Sequence, residues 1–285
     1  MAMVQVVEEA RGLLVTIRGR LAGRDTALIA AGLTFYAGIA VVPVLVLSLA
    51  LTSWLTSPAT VRELSDRLGE VLPDQLGAPD ALARLAEAGT SLTVLQAVLT
   101  LLPISLYGEG IRRALLRFSP ATDRFTAWRG RLASLPLLLL APLLLYPLLL
   151  VGRLLAELAD RPGFGATLAG FALGYYSVLA ALTVPLIWVF RVVAAGRLRW
   201  GPVVVGALFT AASLSGFLQG FVLFLSLPLD LGAPFGGLTV VGGVAAVSFW
   251  LFLLHFVLIA GWLFTEALDA RVRRGRAARE AAPVS

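Results

Sequence analysis

The residues best able to do chemistry in this chain are a few polar side chains beside or inside long apolar stretches. Glu109 follows the charge-free stretch 88–108 and lies three and four residues before Arg112 and Arg113. Positions with this spacing share one face of a helix, so Glu109 and Arg113 are predicted to form an ion pair at a membrane boundary. The pair either fixes the end of a helix or belongs to a substrate or proton site.

Two further polar residues lie within apolar stretches. His255 is the only histidine of the chain and lies in the stretch 231–265, and Gln219 lies in 200–229. Because polar groups are costly at membrane depth, both are candidates for substrate binding, and His255 also for proton relay. The alternative for each is a hydrogen bond between packed helices.

Other side chains that commonly carry catalysis are missing or badly spaced. With no cysteine and one histidine, the chain has no thiol nucleophile and too few ligands for a catalytic metal centre. Ser248 is the hydroxyl closest to pairing with His255, but two helical turns separate them by about 10 Å. No glycine-rich nucleotide motif opens a cytoplasmic helix. We therefore expect no enzymatic activity, no cofactor, no metal and no ATPase within the chain.

The elements that carry these residues are predicted from the distribution of charge. Of 285 residues, 59% are hydrophobic and 14% charged, and six stretches of 21 to 36 residues contain no charged side chain. Roughly 20 apolar residues in a helix cross the hydrocarbon core, so the sequence predicts an all-α integral membrane protein with six transmembrane helices. The membrane domain is predicted at 26–268, between an N-terminal segment 1–25 and a basic tail 269–285. The predicted spans are 27–56, 91–111, 132–153, 164–190, 202–228 and 236–265.

Arginine placement orients these spans. All 23 basic residues are arginine. Eighteen lie in the N-terminal segment, the second-to-third and fourth-to-fifth connections and the tail, and five lie in the other connections. Because arginine-rich loops remain in the cytoplasm, both termini are predicted to be cytoplasmic. The basic segment 112–131 is assigned to lipid headgroups, not to nucleic acid, since few aromatic residues, Phe125 and Trp128 among them, are interleaved with its arginines.

Prolines and small residues shape the predicted helices. The prolines inside the first four spans predict kinks, which either line a cavity or only bend the helix. Small residues spaced every four positions in the fourth and fifth spans predict close helix contacts. The prolines are Pro43, Pro103, Pro142 and Pro185, and the small residues are Ala166, Gly170 and Gly174, then Ala212, Gly216 and Gly220.

The connection between the first two spans is predicted to form short amphipathic extracytoplasmic helices within 58–88. Apolar residues recur there at helical spacing, and Thr60 with Glu63 fits a capping box. These helices either pack on the ends of the spans, lie on the outer bilayer surface, cap a cavity or dock a protein partner of the envelope.

The order of these features resembles the YihY, or virulence factor BrkB, family of bacterial inner-membrane proteins. The similar blocks are Asp25–Tyr36 with Val42–Leu45, the arginine-rich connection after the second span, and the closing block. The closing block runs from Trp200 through Phe235–Leu238 to Gly261 and Glu266. It departs from the family pattern at Phe235, where tyrosine is usual, and by a longer separation between Gly261 and Glu266.

The resemblance implies a role in the bacterial cell envelope. Members of the family have been linked to serum resistance and to trafficking of lipid or lipopolysaccharide, and an older ribonuclease label finds no support in these residues. The resemblance implies a protein that transports, flips or accommodates a lipid or other amphiphile. The charges at the span boundary add the hypothesis that Glu109, Arg112 and Arg113 lie near the inner headgroups. The alternative is a non-transporting scaffold that docks an envelope partner through helices 58–88.

Overall fold

This computed structural model describes residues 25–119, 126–161, 163–194 and 198–280, together with Gly12, Val15 and Gly19. Within them the protein is all-helical, without strands, and six helices are long and apolar enough to cross a membrane. The predicted fold class is therefore confirmed. Most of the predicted N-terminal segment, Arg124, Arg197 and the last five residues of the tail lie outside the described residues.

Eight α-helices follow one another along the described chain. The first, fourth, fifth, sixth, seventh and eighth are the candidate spans, and the sixth continues into a π-helical turn at Val189–Val193. The helices are α1 Thr26–Leu55, α2 Pro58–Gly69, α3 Ala78–Thr90, α4 Val94–Leu116, α5 Thr126–Ala159, α6 Phe164–Trp188, α7 Trp200–Leu225 and α8 Thr239–Glu280.

Side chains at the helix starts satisfy backbone N–H groups that have no partner within the helix. Asp25 caps α1 by accepting a hydrogen bond from the backbone N–H of Leu28, at 2.9 Å. Thr93 and Gln96 form a reciprocal capping box at the start of α4. The predicted box of Thr60 with Glu63 is wrong, because α2 starts earlier, with Ser57 as its cap.

The helices α2 and α3 pack on the ends of the spans. Val61 and Leu64 of α2 are buried against Leu49 of α1 and Leu149 of α5. Gly89 of α3 lies against Leu49, where a side chain on the glycine would clash. The structure thus contains the predicted packing on the spans, and docking of a partner stays a prediction.

The main core joins α1, α4, α6, α7 and α8 around Trp262, Phe190 and Leu115, all fully buried. The four prolines at which the sequence predicts kinks lie inside helices, and α5 contains two more prolines, Pro136 and Pro147. The indole N–H of Trp188 at the end of α6 donates to the carbonyl of Ala133 on α5 at 2.6 Å. This bond ties the two proline-containing helices together.

Reciprocal glycine and threonine contacts bring α7 and α8 together. Gly206 of α7 faces Thr265 of α8, and Gly261 of α8 faces Thr210 of α7. Each threonine hydroxyl donates to the carbonyl of the glycine four residues earlier on its own helix, at 2.7 Å. Small residues permit such close approach in a membrane.

The predicted small-residue stripes match this packing only in part. Gly174 lies beside Gln219 and Gly220 beside Trp250, but a side chain on Gly216 would meet open space. The tightest contact between α7 and α8 involves other glycines, because the spacing of residues along one helix does not reveal which helix lies beside it.

We predict that Gly206→Leu lowers the thermal unfolding midpoint of the purified protein, because the new side chain must displace Thr265. Overpacking of this kind costs about 1–3 kcal/mol. Gly216→Leu is the matched control in α7, since nothing lies within 4 Å of its added Cβ. Equal unfolding midpoints for the two variants would contradict the close α7–α8 contact.

Candidate functional site

Glu109 and Arg113 form the ion pair that the sequence predicts. Arg113 Nε donates to Glu109 Oε1 at 2.7 Å, one turn apart on α4. The Glu109 side chain is 6% exposed and that of Arg113 is 56% exposed, so the pair runs from the protein interior to its surface. Gly130 of α5 makes room for Glu109, because a side chain there would overlap Glu109 Oε2.

Arg112 turns in a different direction from Arg113. It is buried, and its Nη1 donates to the carbonyl of Val193 at 2.7 Å. Val193 ends the π-helical turn after α6, so Arg112 joins the end of α4 to the end of α6. Sequence spacing predicts both arginines at the membrane boundary, but only Arg113 is substantially exposed there.

His255 lies at a junction of three spans. Its Nε2 is 3.0 Å from the hydroxyl of Tyr107 on α4, and its Nδ1 is 2.6 Å from the carbonyl of Leu251 on α8. The carbonyl can only accept, so in a neutral imidazole Nδ1 carries the proton and Nε2 accepts from the tyrosine. Thr34 of α1 places its hydroxyl 3.4 Å from Nδ1. We call Thr34, Tyr107 and His255 the polar junction.

Gln219 is not joined to either group. Its side chain is half-buried on α7, with its amide nitrogen close to Gly174 of α6. Nearby, Tyr175 donates its hydroxyl proton to the carbonyl of Ala212, and Ser215 donates to the carbonyl of Tyr175. The polar groups between α6 and α7 therefore form a contact of their own.

Two buried carboxylates on α8 are not among the site residues that the sequence predicts. Glu266 and Asp269 are 5% and 2% exposed. Asp269 accepts from Arg273 Nε at 2.6 Å and from the backbone N–H of Arg199 at 3.0 Å. Glu266 directly follows the charge-free stretch 231–265, which is the signal that identifies Glu109. A carboxylate directly after a long charge-free stretch therefore marks Glu266 as well as Glu109.

A cavity with a volume of about 620 Å³ lies between α1 and α8. Leu76 and Gly77 of the α2–α3 connection line one end, and Leu251 lies at the other. Its walls are apolar or small apart from Thr239 and Ser248. The lining residues also include Gly38, Val41, Val240, Gly243, Val244 and Val247. We call this space the outer cavity.

A smaller groove lies between the first part of α1 and the last turns of α4, with a volume of about 240 Å³. Arg113 and Arg117 border it on α4. Its apolar lining comes from α1, through Leu28, Ile29 and Leu33. We call it the arginine groove.

Comparison with known proteins gives one match at the level of the family. Residues 17–285 match the model of a family described as virulence factor BrkB. No curated protein and no solved structure matches the chain.

We predict that Arg113→Gln destabilises the protein by about 1–3 kcal/mol, because it leaves the buried Glu109 carboxylate without its cation. Chemical unfolding in detergent measures the loss. Arg153→Gln is the control, since Arg153 and its partner Glu157 are both more than half exposed, at 60% and 53%. An exposed pair contributes less than about 1 kcal/mol. Equal losses for the two variants would contradict a role for the burial of Glu109.

We predict that Tyr107→Phe destabilises the protein by about 1 kcal/mol, because it removes the donor to His255 Nε2 within the bundle. Tyr146→Phe is the control: Tyr146 is also half-buried, and none of the described residues bonds to its hydroxyl. The unfolding midpoints of the two variants test this, and a loss no larger in Tyr107→Phe would be evidence against the polar junction.

Proposed function

Because the chain belongs to the virulence factor BrkB family, we propose that it binds a lipid or other amphiphile of the bacterial cell envelope and moves it within the membrane. The proposal assigns the chain to the inner membrane and assigns no nucleotide hydrolysis to it. The observation that carries the proposal is the outer cavity, which offers an apolar ligand a space between two spans.

The size and lining of the outer cavity suit the apolar part of an amphiphile. Its volume of about 620 Å³ lies within the roughly 300–1,000 Å³ typical of small-molecule sites. Gly38 on α1 and Gly243 on α8 leave room between the helices, and Val41, Val244 and Val247 supply apolar walls. An acyl chain would replace lipid contacts there at little polar cost, since Thr239 and Ser248 are the two lining residues with a polar side chain.

The polar junction adjoins the inner end of this cavity. Leu251 lines the cavity, and its carbonyl accepts the hydrogen bond from His255. Thr34 lies on the same face of α1 as Gly38, one turn away. Movement of an amphiphile past Gly38 would therefore require α1 and α8 to shift at their hydrogen-bonded contact.

The arginine distribution supports the proposed orientation, with both termini in the cytoplasm. The start of α1 and the ends of α4 and α8 lie at one end of the bundle, where Arg113, Arg117 and Arg273 are found. The α2–α3 segment then faces the extracytoplasmic side and lines the outer cavity there.

The scaffold alternative draws less support from the described residues. Docking through helices 58–88 would use exposed apolar side chains, but Val61, Leu64 and Ala86 are buried within the protein. Leu76 is the large apolar side chain of this segment that is exposed, at 36%, and it lines the outer cavity. The apolar faces of the two helices are already covered by α1 and α5.

We predict that the protein in liposomes accelerates exchange between leaflets of a phosphatidylglycerol that carries a fluorescent acyl chain. We expect Gly38→Leu to slow this exchange about tenfold, equivalent to about 1.4 kcal/mol. The added side chain would fill the outer cavity without a clash, because nothing lies within 4 Å of its Cβ. Loss of fluorescence on addition of a membrane-impermeant quencher measures the exchange.

Gly216→Leu is the matched control, since that glycine also has open space around it but lies outside the cavity lining. We expect it to retain the exchange rate of the unaltered protein. Exchange no faster than in protein-free liposomes, or an equal rate in Gly38→Leu and Gly216→Leu, would overturn the proposal.

A further inference from the structure

We propose that the arginine groove binds the phosphate headgroup of an anionic phospholipid from the adjacent leaflet. The inference rests on the proposed function for its premise that the ligand is a lipid. It uses a different space from the outer cavity, so the two proposals can fail separately.

The charged side of the groove is formed by Arg113 and Arg117, one helical turn apart on α4. Glu109 engages Arg113 through Nε alone, which leaves the two Nη groups with no acceptor among the described residues. Arg117 is exposed, and no side chain within the described part of the protein accepts from its guanidinium. Paired guanidinium groups suit a phosphate, which accepts several charge-assisted hydrogen bonds.

Glu109 holds Arg113 in place for this role. The carboxylate is buried, and its 2.7 Å bond to Nε fixes the guanidinium at the bundle surface. The nearby carboxylate of Asp25 is used in capping α1, where it accepts from the backbone N–H of Leu28. Glu109 and Asp25 therefore each have a positioning contact of their own, and among the described residues the arginine Nη groups remain free to donate.

The rest of the groove is apolar, which argues for a lipid over a free phosphate ion. Leu28 and Ile29 form one wall, and Tyr36 packs its ring over Gly110 of α4. Gly32 leaves open space on α1, because no atom lies within 4 Å of the place that a Cβ would occupy there. A volume of about 240 Å³ fits a headgroup and the first carbons of a chain, while the remaining chain stays in the bilayer.

Native mass spectrometry of the detergent-solubilised protein tests the site, with phosphatidylglycerol and phosphatidylcholine as probes. We expect the protein to retain phosphatidylglycerol preferentially. Arg117→Gln should lower this retention about tenfold, because it removes one guanidinium without leaving Glu109 unpaired. Gly32→Leu should lower it by filling the groove.

The matched controls are Arg153→Gln and Gly216→Leu. Arg153 is a similarly exposed arginine on another helix, and Gly216 has similarly open surroundings outside the groove. We expect both to retain phosphatidylglycerol like the unaltered protein. An equal loss of phosphatidylglycerol retention in Arg153→Gln and Arg117→Gln would show that general surface charge causes the effect, and it would overturn the inference.

Two further measurements distinguish a lipid headgroup from a free phosphate ion, and the headgroup site from the proposed movement of lipid. Inorganic phosphate in excess should not displace the bound lipid; displacement would assign the groove to the free ion and overturn the inference. Gly38→Leu should slow leaflet exchange while keeping the preference for phosphatidylglycerol over phosphatidylcholine. Retention without any leaflet exchange would overturn only the proposed function, and exchange without a preference for phosphatidylglycerol would overturn only the headgroup site.

Discussion

The constraint on which this structure depends is that a membrane offers no water to buried polar groups, so these groups depend on partners within the protein. Two carboxylates form such a contact in the same way, although Glu109 does so through Oε1 alone and its buried Oε2 has no hydrogen-bond partner among the described residues. Glu109 on α4 and Asp269 on α8 are buried, and each is paired with a half-exposed arginine one turn later. The arginine stem spans the distance from the buried carboxylate to the polar surface, so the charge pair marks where each helix leaves the apolar core.

Such contacts between polar groups form because the helices approach one another closely. Gly130 admits Glu109 against α5, and the reciprocal contacts of Gly206 and Gly261 bring α7 against α8. The π-helical turn after α6 ends at Val193, whose carbonyl accepts from the buried Arg112. Single π-helical turns of this kind are frequent at functional sites. Here the turn places the end of α6 within hydrogen-bonding distance of α4.

The helix α1 takes part in both spaces proposed to hold lipid. Thr34, Gly38 and Val41 lie on one face and meet the outer cavity and the polar junction, while Gly32 and Tyr36 lie on the opposite face and line the arginine groove. The two spaces therefore lie on different sides of α1. Passage of a lipid between them would require α1 to move relative to α4 and α8, which makes this helix the natural moving part of the proposed mechanism.

The sequence by itself determined the six spans and the pairing of Glu109 with Arg113, because hydropathy and helical spacing are local properties of the chain. Tertiary structure decided the rest. The separation of Arg112 from Arg113 depends on where α6 ends, and the polar junction joins residues 34, 107 and 255. The two cavities likewise depend on which helices are neighbours. Packing between segments that are distant in sequence decides which helices are neighbours, so local sequence patterns do not predict it.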